Sequence, residues 1–332
     1  MAAPHPKFSE LPLDPSHPPH SAWGLYGDDD ERGTLNLLTP ERTLEAAKEI
    51  KTGVSVGLNW PVHMMDYAGE SFREPTKHEI FEIGKNMNDD KLTLNTQIGS
   101  QWDGLRHWGF DDGRFYNGLT QADIYSKKTS RLGIHEPKAW TKQGIIARGV
   151  LIDFASHAAR NGIAYDPLGH YAVSLRTIRQ IAAESNIVFR PGDILFLRTG
   201  FTRVYEAATM GVKKQIMTKS PFEYPGVEAT VEVLRFLWDS RIAAVAGDCP
   251  GFEAWPPSGA AAGPEEEAEG VMREGMHQTL LAGFGMPIGE MFDLEGLGRE
   301  CEAQKRWSFF VSSMPLNVVG GVASPPNAVA IF

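Results

Sequence analysis

Three short apolar segments alternate with helical patterns in the middle of the chain, and this alternation most constrains the fold. The segments are 149–154, 194–198 and 241–246, and each has the length and the flanking turn residues of a buried strand. Between them, 174–182 and 227–239 carry apolar side chains at helical spacing. Strands and helices that alternate in this way predict an α/β fold.

The chain is expected to form one domain behind a short arm. Residues 1–20 contain six prolines, which predicts an irregular arm over residues 1–22. No linker interrupts residues 23–332, and we expect a single catalytic domain there. The segment 257–270 is acidic and of low complexity, so it is predicted to be a surface loop.

Composition excludes several classes of protein. The 332 residues include 32 Lys plus Arg and 42 Asp plus Glu, a formal net charge of −10. An acidic chain without a dense basic stripe repels phosphates, so we expect no nucleic-acid partner. No apolar run approaches the roughly 18 residues of a membrane-spanning helix. The N-terminal residues lack the apolar core of a secretory signal, and we expect a cytoplasmic protein.

The strongest group of chemically active side chains lies between residues 97 and 107. Gln97, Gln101, Asp103 and His107 stand among glycine and tryptophan residues. A carboxylate and an imidazole at one centre can bind a metal or transfer a proton. We predict these four residues to be catalytic, with a polar turn that satisfies its own hydrogen bonds as the alternative.

This segment resembles the metal-binding motif of the cyclase family, which includes bacterial kynurenine formamidase and isatin hydrolase. The usual form of that motif is His-x-Gly-Thr-His-x-Asp-x-x-x-His. The chain keeps its glycine, its aspartate and its last histidine, and has serine in place of threonine, at Gly99, Asp103, His107 and Ser100. Both earlier histidines are replaced, by Gln97 and Gln101.

The resemblance continues along most of the chain, because further segments resemble family motifs in the family's order. They are 23–36, 148–153, 192–200, 277–290 and 315–327. The resemblance implies a swivelling β/β/α domain that assembles as a homodimer or a homotetramer.

It also implies a hydrolase that acts on a small amide, lactam, lactone or related carbonyl compound. One divalent metal, Zn²⁺ or Mn²⁺, would be bound by Asp103, His277 and Glu290, with His107 as the general acid/base. The replacement of two imidazoles should weaken this metal site, because a carboxamide is a poorer ligand for a transition metal. The oxygens of Gln97 and Gln101 still suit a hard ion such as Mg²⁺.

Two alternatives stay open for the same residues. The first is a metal-free cyclase or dehydratase, a lyase in which Gln97 and Gln101 donate hydrogen bonds to a substrate carbonyl. The second is a catalytically inactive binding protein that keeps the pocket. Two substrates stay open, a formamide of kynurenine and a compound of secondary metabolism. The two missing histidines argue against an ordinary kynurenine formamidase.

Further residues near the motif are predicted to bind the substrate. Aromatic side chains would line a pocket for a flat ligand, an arginine would bind a carboxylate, and an aspartate stands after a buried strand, where α/β sites tend to lie. The predicted substrate-binding residues are Trp102, Trp108, Phe115, Tyr116, Arg106 and Asp248. For the aromatic residues the alternative is an ordinary place in the core, and for Asp248 it is a turn cap.

Overall fold

The computed structural model describes residues 5–65, 73–126, 129, 131–134, 140–257 and 272–332. The strands within them are β1 (Ser55–Gly57), β2 (Lys77–Gly84), β3 (Met87–Thr93), β4 (Gln101–Asp103), β5 (Ile145–Asp153), β6 (Tyr171–Val173), β7 (Ile194–Arg198), β8 (Pro225–Val227), β9 (Ala244–Gly247), β10 (Ile288–Glu290), β11 (Ser308–Ser313), β12 (Ala323–Ser324) and β13 (Ala328–Ile331). The α-helices are α1 (Pro40–Ala47), α2 (Gln121–Tyr125), α3 (Phe154–Asn161), α4 (Leu175–Glu184), α5 (Phe201–Ala207), α6 (Met210–Thr218), α7 (Val231–Asp239) and α8 (Glu295–Gln304).

One mixed sheet organises the molecule, with the strand order β1-β13-β11-β5-β7-β9-β10-β4-β12. Its centre is parallel from β5 through β7 and β9 to β10, whereas β4 runs antiparallel to β10. The apolar segments 149–154, 194–198 and 241–246 supply β5, β7 and β9, so the predicted α/β fold is confirmed. The last of these strands begins only at Ala244, and Arg241 before it has a left-handed backbone (φ 55°) that cannot belong to a strand.

Each of the two helices between the central strands begins after a capping hydroxyl, but α7 begins at Val231 and not at residue 227, because Pro225–Val227 pairs with β6 as strand β8. The hydroxyl of Ser174 accepts a hydrogen bond from the Thr177 backbone and caps α4, and Thr230 caps α7 in the same way. Both helices bury an apolar face in the main core, which includes Ile178 on α4 and Leu234 on α7. Burial of these faces positions the central strands, and the ends of those strands carry the site.

The N-terminal residues pack against the same core. Phe8, Leu11 and Ala22 are buried in it. The indole nitrogen of Trp238 donates a hydrogen bond of 2.8 Å to the carbonyl of Pro6. Residues 5–22 therefore lie on the chain's own core, and of the acidic segment 257–270 all but its first residue lies outside the described residues.

A two-stranded hairpin stands apart from the main sheet. Within the described residues, strands β2 and β3 pair only with each other, and nearly every one of their residues is exposed. The exposed residues include five large apolar side chains, Ile80, Phe81, Ile83, Met87 and Leu92. In the described part of the chain, no helix is both long enough and apolar enough to cross a bilayer.

Candidate active site

The pairing of β4 with β10 builds the centre of the site. Their register places Gln101 opposite Glu290, and the amide nitrogen of Gln101 donates a hydrogen bond of 2.6 Å to that carboxylate. Successive side chains of a strand point to opposite faces. Gln101 and Asp103 therefore share one face of β4, and Trp102 between them points to the other.

His277 lies between two buried carboxylates. It directly precedes a π-helix (Gln278–Phe284), and its Nδ1 is 2.8 Å from Glu253 Oε1. Its Nε2 is 3.0 Å from Glu290 Oε1. Glu253 Oε1 also accepts hydrogen bonds from the backbone nitrogens of Met276 and His277. Glu253 thus holds the imidazole so that its other nitrogen faces Glu290.

Burial and neighbouring charges shift the pKa values of three groups at this centre. The pKa values of His277 and Glu290 are raised, and that of Glu253 is lowered. Burial lowers the pKa of His277, but the charge of Glu253 outweighs it, so this pKa lies well above its usual value. Burial and the nearby Asp103 raise the pKa of Glu290 to about 8. Burial opposes ionisation of Glu253, yet His277 and its hydrogen bond hold the pKa of that carboxyl below its usual value. The site is a concentration of buried acidic groups around one imidazole.

The residues present fit a divalent metal ion. The ligand atoms of Asp103, His277 and Glu290 all lie within 4.8 Å of one another, and the three residues are buried. Two buried oxygens at this centre, Gln101 Oε1 and Asp103 Oδ2, have no hydrogen-bond partner among the described residues. A cation would satisfy oxygens that otherwise stay unpaired at a cost. One imidazole with carboxylates suits Zn²⁺, Mn²⁺ or, less selectively, Mg²⁺.

His107 stands beside this centre. The amide nitrogen of Gln97 lies 2.8 Å from Asp103 Oδ1 and 3.0 Å from His107 Nδ1, so one side chain connects the two. Burial lowers the pKa of His107, although the charge of Asp103 opposes this shift. A neutral imidazole at neutral pH can accept a proton, as a general base must.

A cavity of about 160 Å³ opens over these groups. Its polar wall contains Gln97, His107, His277, Glu290 and Arg73. Its remaining wall is apolar, with four aromatic side chains from separate parts of the chain, at Trp108, Phe222, Tyr224 and Trp255. Methionines, one isoleucine and one proline complete this wall, at Met65, Met217, Met291, Ile98 and Pro250. Of the four predicted catalytic residues, Gln97 and His107 thus line an apolar pocket of small-molecule size, whereas Gln101 and Asp103 are fully buried and do not line it.

Of the predicted substrate-binding residues, Trp108 lines the cavity. Trp102 does not, because it lies on the opposite face of β4, where its indole donates a hydrogen bond of 2.9 Å to Ser313 and packs on Phe292. Arg106 also points elsewhere. Its guanidinium donates hydrogen bonds to the backbone carbonyls of Thr129, Arg131 and Gly320 and thereby ties loops together.

The other three predicted residues lie away from the cavity as well. Phe115 and Tyr116 belong to the main core, and the Tyr116 hydroxyl lies 3.1 Å from Asp30. Asp248 accepts hydrogen bonds from the backbone nitrogens of Thr199 and Gly200, which is the turn-cap arrangement. Burial raises the pKa of Asp248 to about 6.

Several residues of the site lie outside the set that the sequence predicts. Arg73, Phe222, Tyr224 and Trp255 line the cavity but belong to no recognisable motif, and only the tertiary fold brings them together. Glu253 carries a usable signal, because it follows β9 closely and the ends of parallel strands are where α/β sites form. The alternation of side chains along β4 is a second signal, because it places Trp102 on the face of the sheet opposite to Gln101 and Asp103.

Comparison with known proteins identifies the family to which the chain belongs. A family model described as "Putative cyclase" matches residues 17–254, and the chain belongs to this cyclase family. A crystal structure titled as a novel cyclase has a TM-score of 0.78 and 28% identity, and the match covers 94% of this chain and 99% of that one. No protein of curated function is a significant match in sequence.

Two isatin hydrolases have a similar fold. Isatin hydrolase A from Labrenzia aggregata, bound to benzyl benzoate, matches with a TM-score of 0.55 and 15% identity over 86% of this chain and 94% of its own. The enzyme from Ralstonia solanacearum matches with a TM-score of 0.56 and 14% identity over 89% and 98%. The predicted fold, a swivelling β/β/α domain of the cyclase type, is confirmed.

Proposed function

We propose that the protein is a metal-dependent hydrolase that cleaves the C–N or C–O bond of a small amide, lactam, lactone or related carbonyl compound. One observation carries the proposal. The ligand atoms of Asp103, His277 and Glu290 lie within 4.8 Å of one another, and His277 and Glu290 line an apolar cavity that His107 also lines. The isatin hydrolases that share this fold are consistent with such chemistry.

Asp103, His277 and Glu290 would hold one divalent ion, Zn²⁺, Mn²⁺ or Mg²⁺. Such an ion polarises a carbonyl oxygen and lowers the pKa of water. Glu253 fixes the tautomer and orientation of His277, as the outer carboxylate of a metal-bound histidine does.

His107 is the general acid/base in this proposal. It takes a proton from the water whose oxygen bonds to the carbonyl carbon. It then returns that proton to the nitrogen or oxygen of the bond that breaks, so that a carboxylic acid and an amine or alcohol result. Gln97, hydrogen-bonded to Asp103 and close to His107, keeps the base in place.

A metal-free cyclase or dehydratase is the second candidate, and one observation favours it. The amide nitrogens of Gln97 and Gln101 already donate hydrogen bonds to Asp103 and Glu290. The two carboxylates that would bind a metal therefore have partners among the protein's own side chains. In such an enzyme His107 would move protons in a lyase reaction without an activated water.

Metal content and turnover distinguish the candidates. The purified protein is assayed against a panel of cyclic and open-chain amides, lactones and isatin, before and after treatment with a chelator. We expect one divalent ion per chain and turnover that is lost on chelation and restored by Zn²⁺, Mn²⁺ or Mg²⁺. Turnover that survives chelation would support the metal-free enzyme. Ligand binding without turnover of any compound would leave a binding protein.

We also propose that the protein assembles as a homodimer or a homotetramer in the cytoplasm, without nucleic-acid or membrane partners. The exposed apolar side chains of the β2–β3 hairpin support assembly. An isolated two-stranded hairpin is only marginally stable in water, and large exposed apolar patches commonly mark interfaces.

A further inference from the structure

The two glutamine amides of the catalytic centre already use their N–H groups within the protein. The side-chain nitrogen of Gln97 contacts both Asp103 and His107. The side-chain nitrogen of Gln101 contacts both Asp103 and Glu290. An amide nitrogen has two hydrogens to donate, so each glutamine has a partner for both. A substrate carbonyl in the cavity therefore needs a hydrogen-bond donor from another part of the wall.

Tyr224 supplies the one hydroxyl among the described residues that line the cavity. The residue is only 7% exposed, yet its hydroxyl makes no hydrogen bond with any residue that the structure describes. A hydroxyl that is taken out of water without a new partner destabilises a fold. A polar atom of a bound ligand would accept this hydrogen bond and remove the cost.

The surroundings of Tyr224 fix the position of its hydroxyl. The backbones of Tyr224 and Trp255 exchange two hydrogen bonds, of 3.2 and 3.1 Å. The Tyr224 ring meets that of Phe222 edge to face, with the centroids 5.4 Å apart. Gly251 leaves room for the hydroxyl, because a Cβ at that position would overlap the phenol oxygen. The donor is thus in place before a ligand enters, as stabilisation of a developing charge requires.

The hydroxyl keeps its proton beside the acidic centre. Burial, and after it the charges of Glu253 and Glu290, hold the pKa of Tyr224 well above its usual value. The phenol is therefore a hydrogen-bond donor at neutral pH. Because the field of Glu290 acts on it, the hydroxyl lies on the catalytic side of the cavity, which His107 also lines.

We propose that the hydroxyl of Tyr224 donates a hydrogen bond to the oxygen of the substrate's reacting carbonyl group, which makes Tyr224 a further catalytic residue. This inference rests on the proposed hydrolase function for the reaction, but the recognition of a carbonyl oxygen is independent of turnover. The hydrogen bond strengthens as water adds to the carbonyl carbon, because an electron pair of the C=O bond moves onto that oxygen. The phenol keeps its proton throughout, and His107 carries the proton that the reaction moves.

The first experiment uses two ligands that differ only in a carbonyl oxygen, 1-indanone and indane, neither of which can be hydrolysed. Calorimetry measures their affinities for the protein as purified and for Tyr224→Phe. In the variant we expect the affinity for 1-indanone to fall at least about fivefold, as the loss of one hydrogen bond implies. The affinity for indane should stay the same, which also shows that the variant is folded.

Tyr171→Phe is the matched control. Tyr171 packs on Phe154 away from the cavity, so the loss of its hydroxyl should change neither affinity. An affinity for 1-indanone that survives Tyr224→Phe would place the donor on another group of the wall and overturn the inference. An equal loss of both ligands would show that Tyr224 only shapes the cavity, which also overturns it.

Turnover tests whether the hydrogen bond belongs to the reacting carbonyl. For the compound of the amide and lactone panel that is hydrolysed fastest, Tyr224→Phe should lower kcat about 10²-fold with little change in KM. A change in KM alone would place the hydroxyl on a part of the substrate away from the reaction, and the inference would be wrong. Absence of all turnover contradicts the proposed hydrolase, whereas the comparison of 1-indanone with indane still tests Tyr224.

Discussion

The side-chain nitrogen of Gln97 lies 2.8 Å from Oδ1 of Asp103, so an amide contacts the carboxylate at a motif position where the cyclase family usually has histidine. Gln101 repeats this relationship, because its nitrogen also faces Asp103 and contacts Glu290. The two glutamines keep the carboxylates in place through hydrogen bonds. They do not supply the imidazole nitrogens that bind transition metals most strongly.

Restoring both imidazoles should therefore strengthen the metal site. The double variant Gln97→His/Gln101→His is expected to bind Zn²⁺ more tightly than the original chain, because imidazole is the better ligand. Competition with a chromophoric chelator measures the affinity. Gln180→His, on the exposed side of α4, is the control and should change nothing. Unaltered affinity in the double variant would show that these side chains do not face the ion.

Removing the imidazole of His107 should abolish most of the turnover. Loss of a general acid/base typically costs about 10²–10⁴-fold in rate, so His107→Ala should lower kcat in that range while metal content and fold stay the same. His78→Ala is the control, since His78 is exposed on the hairpin and pairs with Asp90. A kcat equal to that of the unmodified enzyme would remove His107 from the reaction.

Glu253 should affect metal affinity through its contact with His277, without contacting the substrate itself. Glu253→Gln keeps an oxygen for the backbone nitrogens but loses the charge that orients the imidazole. Metal affinity should fall about 10- to 100-fold, as for other outer carboxylates of metal-bound histidines. Titration of the metal-free protein measures the affinity, with Glu302→Gln on the surface of α8 as the control. Equal affinities would contradict a metal at His277.

The two neighbouring tryptophans of the motif should behave differently. Trp102→Ala should destabilise the fold by about 3–5 kcal/mol, because it leaves a cavity in the core. Trp108→Ala should cost less stability and instead weaken ligand binding. Urea unfolding and calorimetry measure the two effects. A Trp102→Ala variant of normal stability that binds ligands poorly would place Trp102 in the ligand site after all.

Charges on the β2–β3 hairpin should disrupt assembly. Ile80 is 71% exposed, and the double variant Ile80→Lys/Phe81→Lys would place two charges in an apolar interface. Light scattering coupled to gel filtration should show a smaller particle than the unmodified protein. Leu44→Lys, at a comparably exposed leucine of α1, is the control. An unchanged mass for the hairpin variant would show that another surface forms the oligomer.

The sequence by itself determined the α/β class, because short apolar runs such as 194–198 alternate with helical patterns along the chain, and this alternation predicts helices packed on a sheet. It also identified Gln97, Asp103 and His107 as one group, since all three belong to one short segment that resembles a single family motif.

The tertiary structure decided the rest of the site. The contact between Gln101 and Glu290 joins residues that are 189 positions apart, and it depends on the register of β4 against β10. The place of Arg73 in the cavity wall depends on packing in the same way. The separation of Trp102 from Gln101 follows from strand alternation, which acts only once the segment is known to be a strand. Local patterns determine which residues can carry the chemistry, and long-range strand pairing determines which of them meet.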